Sequence, residues 1–267
     1  MATTIKTIKK NAIEALKDKW VIGIISALTL LFVFLIIQII VWLIGIVTGD
    51  RISVSIMFIM FVVFIGPLFS GIVRHFWRMF GGLSETPATA FYYFSTFSRY
   101  FKVLRLYTML AIKYIIWSIV FDLPAIAVSV ISDVRLYDFL KIPIPMWSQN
   151  LTNLVDFLYT VGSVLTLFML TKFYLAPFLL IVNDEIEVDE AIHMSAVISK
   201  ASFTELIYLI FSILHWLILS LLFIPLVFTL PYFIMCYVSH SLEAVNSYNE
   251  KIKKLNDENF PSFVAGA

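Results

Sequence analysis

The sequence predicts an all-α membrane protein, a polytopic helix bundle of about six membrane segments in three helical hairpins, each preceded by an interfacial amphipathic helix. Three observations lead there. From Trp20 to Gly49 the chain carries no charged side chain, and four further long apolar stretches follow. Of the 267 residues 61% are hydrophobic and 14% charged, against roughly half and about a quarter in soluble domains, and the mean hydropathy is +0.94. Apolar faces with a helical period recur ahead of the first, third and fifth stretches.

In chain order, residues 1–19 read as an interfacial helix: Ile5, Ile8, Ala12, Leu16 and Trp20 recur at spacings of three and four, while Lys6, Lys9, Lys10 and Lys17 fall mostly on other faces. Hairpin 1 covers 20–73. Its first span, Trp20 to Val47, exceeds the about 20 residues that a bilayer core requires. No small-residue cleavage site accompanies it, so it is expected to be an uncleaved signal anchor. After the turn Gly49-Asp50-Arg51 the chain returns from Ile52 to Val73 and ends at Arg74, His75 and Arg78.

Residues 84–182 make the second unit. Thr86 is placed as an N-cap and Pro87 at the first helical position, with Ala90, Phe91, Phe94, Phe97 and Phe101 on one side of the helix. Spans from Leu104 to Val130 and Leu154 to Val182 follow, joined by an outer loop, 132–153. Pro143 and Pro145 preclude a regular helix in that loop, and Tyr137 and Trp147 suit the outer interface. The third unit, 184–246, opens with Ala191, Ile192, Ser195 and Ile198 at helical spacing, and Ser202 with Glu205 is expected to cap the next span. As one helix, Leu206 to Ser239 would measure roughly 50 Å, so it is split near Ile224 and Pro225. A cytoplasmic tail, 247–267, closes the chain.

Positive charge orients the bundle. With six segments both termini are cytoplasmic, and Lys6, Lys9, Lys10, Lys17, Lys19, Arg74, Arg78, Arg99, Lys102, Arg105, Lys200, Lys251, Lys253 and Lys254 all lie inside. Only Arg51, Arg135 and Lys141 lie outside. Five crossings would move the last three lysines across and weaken the bias; a re-entrant final hairpin would satisfy it equally. The expected location is a bacterial cytoplasmic membrane.

The return arms repeat a proline: Gly66-Pro67-Leu68, Ala176-Pro177-Phe178 and Leu230-Pro231-Tyr232. Each lies about two turns, roughly 10 Å, from its cytoplasmic end. Three similar units with a kink at Pro67, Pro177 and Pro231 are inferred, the kinks converging about a pseudo-threefold axis as places for a gate.

Ile8-Lys9-Lys10-Asn11-Ala12-Ile13-Glu14-Ala15-Leu16-Lys17-Asp18-Lys19-Trp20, Gly66-Pro67-Leu68, Ala176-Pro177-Phe178, Ala191-Ile192 with Ser195, and Pro231-Tyr232 occur in this order. The order resembles an uncharacterised family of bacterial integral membrane proteins, domain of unknown function 975, across nearly the whole chain. That family in turn looks like the membrane portion of some glycerophosphodiester phosphodiesterases. Their catalytic domain is not among these residues, so the resemblance implies a membrane fold and no phosphodiesterase activity.

No nucleotide loop, nucleophile and base pair or metal constellation stands out, and no enzyme, cofactor, metal or nucleic acid is expected. Glu190 and His193 have the i, i+3 spacing of a diiron ligand pair without a second pair, and His75, His215 and His240 lie in separate segments. Asp184, Glu185, Glu187, Asp189 and Glu190 read as acids ahead of a helix rather than cation ligands. Cys236 reads as a buried small hydrophobe. Lys113 and Lys172 fall near mid-span, where an ionisable group is costly and usually faces a cavity or a partner. Asp122 lies on the face of its helix opposite Lys113, so both lysines are candidates for binding an anionic headgroup or phosphate; the alternative is that they snorkel to the interface. Arg74, Arg78, Arg99, Lys102 and Arg105 are expected to contact anionic lipid. The function these point to is non-enzymatic handling or translocation of an anionic amphipathic or lipid-like substrate. The alternative is a structural or accessory protein, a subunit of an export system or a bacteriocin-immunity type envelope factor, with a membrane-protein partner or a second copy of itself.

Overall fold

A computed structural model describes residues 2–83, 86–132, 151–219 and 224–259, and these are all-helical with helices that cross-pack as a polytopic bundle. The predicted outer loop, including Lys141 and Trp147, lies outside the described residues but for its two ends. So do residues 220–223 and the end of the chain beyond Asn259. Six helices or helix pairs are long and apolar enough to cross a membrane, Trp20–Val47, Ile52–Phe80, Phe97–Ser132, Asn153–Val182, Val188–Trp216 and Pro225–Lys253, and the chain is a multi-pass membrane protein. Large apolar side chains such as Val21, Phe32, Trp42, Ile119 and Phe168 are exposed on them, an arrangement that water would penalise and lipid does not.

The residues fall into two compact units, 1–108 with 173–267, and 109–172. In the first, α1 (Ala2–Leu16) buries Ile8, Ala12 and Leu16, one side of the predicted face. It ends in a tight turn with Asp18 at φ 63° and lies along α9 (Ile224–Asn259). Lys9 is half-buried, and its Nζ donates to Ser212 Oγ at 2.9 Å. α2 (Trp20–Thr48) and α3 (Asp50–Met60) form the first hairpin around Ile37, Val41 and Ile65, with Gly49 at φ 85° in the turn. Glycine takes that left-handed conformation without the Cβ clash of other residues.

The return arm changes its winding ahead of its proline. Phe61–Ile65 is π-helical, with the Gly66 N–H donating to the Phe61 carbonyl five residues back. α4 (Gly66–Phe80) then starts with Pro67 in its first turn, where no N–H is needed. The second amphipathic segment is a 3-10 helix, Pro87–Phe94, not an α-helix. It buries Ala90 and Tyr93, three apart as its period requires, and leaves Phe91, Phe94, Phe97 and Phe101 exposed. It docks on α4 because Gly71 has no side chain: a Cβ there would run into the Ala90 carbonyl oxygen.

α5 (Phe97–Ser132) begins earlier than the sequence predicts, since the segment around Arg99 and Arg105 continues the span as helix. α6 (Thr152–Leu170) passes into a single 3-10 turn, Thr171–Phe173, before α7 (Ala176–Val182), again with proline in the first turn. α8 (Val188–Leu219) joins the third amphipathic segment to the fifth span without a break. The expected capping box is therefore absent: Ser202 is mid-helix and its Oγ donates back to the Ile198 carbonyl at 3.3 Å. Likewise α9 runs unbroken through Pro231 and onward through the residues read as the start of the tail.

Candidate functional site

In the first unit the proline-led arms come together. Tyr237 of α9 has ring contacts with Phe69 of α4 at 6.2 Å and with Phe178 of α7 at 6.4 Å. The residues around the three prolines are among the most buried of the chain, including Leu68, Ile72, Leu175, Leu180 and Met235.

Both departures from α-helix free backbone groups that lipid cannot hydrogen-bond, and side chains from other elements take them up. The Tyr100 hydroxyl donates to the Val63 carbonyl in the π stretch at 3.1 Å. At the second break the Tyr237 hydroxyl donates to the Tyr174 carbonyl at 2.7 Å, and the Leu175 N–H donates to Ser195 Oγ at 3.2 Å. One tyrosine hydroxyl from a separate element thus caps each break. The breaks are built and held, and are not frayed helix ends.

Around them is a buried polar cluster. The Tyr174 hydroxyl lies 2.9 Å from His240 Nε2 and 3.1 Å from Ser202 Oγ, and its ring stacks on the imidazole at 5.8 Å. His240 is fully buried, and its Nδ1 has no hydrogen-bond partner among the described residues. Tyr107 stands over Gly66, where a Cβ would enter its ring, and its hydroxyl pairs with Ser70 Oγ at 3.1 Å. The clue in the sequence was polar side chains at one-turn spacing inside apolar spans: Ser195, Ser199 and Ser202, and Tyr237 with His240 and Ser241.

Four of the five belt cations gather in a charge cluster. Arg74 Nη1 is 3.5 Å from Asp184 Oδ1, Lys102 donates to the Asp184 backbone carbonyl, and Arg105 Nη2 is 2.6 Å from Asp189 Oδ2. Arg74 and Arg99 place their guanidinium carbons 3.8 and 4.4 Å from the centroid of the Tyr92 ring. Beneath, the Tyr93 hydroxyl is pushed above the usual tyrosine range, mainly by burial, with the Arg74 charge opposing. Asp184 and Asp189 are therefore partners of the belt. Arg78 sits in the last turn of α4, half-buried.

Beside this cluster lies a cleft of about 260 Å³ lined by Phe64, Phe94, Thr96, Phe97 and Tyr100. Pro67 and Pro177 lie just after the two breaks, whereas Pro231 sits inside a continuous helix with its ring toward Gly23. Cys236 is a buried free thiol. Among the described residues no three His, Cys, Asp or Glu side chains are grouped closely enough to hold a metal ion.

In the second unit Lys113 is half-buried midway along α5, and Lys172 is half-buried in the 3-10 turn between α6 and α7. Asp122 is held within the same unit. Its Oδ2 accepts from Ser118 Oγ at 2.9 Å, and its Oδ1 lies against Gly162 of α6, where a Cβ would collide with it.

Comparison with protein-family models, with characterised proteins and with solved structures finds no match to this chain.

Proposed function

We propose that this protein handles or translocates an anionic amphipathic, lipid-like substrate without catalysing a reaction, in a bacterial cytoplasmic membrane with both termini cytoplasmic. The observation that carries this reading is the pair of helix breaks at Phe61–Ile65 and Thr171–Leu175, each capped by a tyrosine hydroxyl from another element. Interrupted helices inside a membrane bundle are tolerated where neighbours satisfy the backbone, and they recur at substrate sites of transporters. In this reading Pro67 and Pro177 keep the breaks from closing into continuous helix, Pro231 shapes the arm between them, and Lys113 and Lys172 contact the negative headgroup. Membership of the uncharacterised family resembled by the motifs belongs to the same proposal.

Reconstitution into liposomes with a fluorescent phosphatidylglycerol tests it, with dithionite reading how much of the label changes leaflet. Wild-type protein is expected to move the label, and the double variant Lys113→Gln, Lys172→Gln to lose most of that movement. No movement by wild type, together with stoichiometric co-purification of a second membrane protein, would sink the reading in favour of an accessory subunit.

A further inference from the structure

We propose that the segment Tyr92–Tyr100, together with Arg74, is a binding site for one anionic phospholipid, its phosphate held by Arg74 and Arg99 and the first part of one acyl chain lying in the aromatic cleft. This deepens the function proposed above, and depends on it only for the step from binding to movement.

The charge count around Tyr92 motivates the headgroup half. Arg74 and Arg99 meet on that ring, and Lys102 donates to the backbone carbonyl of Asp184, not to its carboxylate. Arg74 reaches the Asp184 carboxylate only at 3.5 Å. Arg99 pairs with no acid among the described residues; its partners are the Tyr92 ring and Ser95 Oγ at 3.3 Å. Two guanidiniums on one ring repel each other, and a planar fork of donors from each suits a phosphate, whose oxygens accept paired, charge-assisted hydrogen bonds. Arg105, paired closely with Asp189, is already neutralised.

The cleft motivates the chain half. Four of its five lining residues are aromatic, and Phe97, 76% exposed, stands at its edge. At about 260 Å³ it falls below the roughly 300–1,000 Å³ of sites that enclose a whole small molecule, and suits a segment of an aliphatic chain whose remainder lies in the bilayer. Tyr100, which lines the cleft, donates to the Val63 carbonyl in the π stretch, so an occupant would touch the residue that holds the first break.

The test uses the full chain in nanodiscs of phosphatidylcholine with a minor share of phosphatidylglycerol, and counts retained lipids by native mass spectrometry. Wild type is expected to retain one phosphatidylglycerol, with retention falling about tenfold in Arg99→Gln and in Phe97→Ser, and unchanged in Arg105→Gln. Arg99 and Phe97 are exposed, and thermal melting of each variant checks that the fold is intact. Equal retention in wild type and Arg99→Gln, or equal loss in Arg105→Gln, would overturn the site, the second showing only diffuse attraction to a basic surface. Displacement of the lipid by millimolar inorganic phosphate would overturn the acyl-chain half. Unaltered retention with leaflet movement absent supports this site and counts against translocation alone; lost retention with movement intact does the reverse.

Discussion

Gly71 lies where any Cβ would occupy the position of the Ala90 carbonyl oxygen. Gly71→Ala is therefore expected to lift the 3-10 segment from α4 and cost about 1–3 kcal/mol, the range of overpacked cores, seen as a lower Tm in detergent. By contrast, Arg105→Ala should leave Tm unchanged: the partners are 56% and 55% exposed, and such pairs contribute at most about 1 kcal/mol. Burial raises Tyr93 above the ordinary tyrosine value. The unfolded phenol loses its proton near about pH 10 while the folded one keeps it, so the folded state binds more protons and stability falls as pH rises beyond that point. Tyr93→Phe should remove its share of the decline, as chemical-denaturation midpoints across that range would register. Gly71 and Tyr93 do not stand out in the sequence, and Arg105 stands out only as one of a belt of cations. The glycine and the arginine acquire their roles from Ala90 and Asp189, which other segments supply, and the tyrosine from its burial.

At the scale of elements, prolines in the sequence mark where two helices change winding, because a ring without an N–H fits a first turn and disrupts an interior. They do not reveal the kind of break. The π stretch and the 3-10 turn depend on Tyr100 and Tyr237, which lie 37 and 63 residues from the carbonyls they cap. Nor does a proline guarantee a break, since α9 continues past Pro231. The third amphipathic segment could not be told from the fifth span because Lys200 and Ala201 offer no helix stop, and Ser202 turns its hydroxyl to its own helix. If the second break serves movement, Pro177→Ala should allow the helix to close toward Val182, keeping or raising Tm while reducing leaflet movement in liposomes. A loss of Tm with movement unchanged would mean that the proline only packs.

For the whole molecule, hydropathy made the six spans legible, as lipid demands long apolar helices irrespective of their partners. The charge cluster was not legible, because Arg74 meets an acid 110 residues away and Arg105 one 84 away. The buried Cys236 leaves a quiet background for mapping sidedness. In intact cells an impermeant maleimide is expected to label Arg51→Cys and to spare Lys6→Cys and Lys251→Cys, which react only once the membrane is opened; labelling of Lys251→Cys in intact cells would require an odd number of crossings. The five residues Phe61–Ile65 also set a rotational phase. A π turn holds one more residue than the α turn it replaces, so deleting one residue there would turn everything after it by about 100° relative to α3. Gly23 of α2, which lies against Phe76 of α4 and Pro231 of α9, would then lose both neighbours together, without any of the three having been changed. That one surplus residue acts as the key to the register in which the first hairpin meets the rest of its unit, and a deletion within it should be far more damaging than any single substitution there.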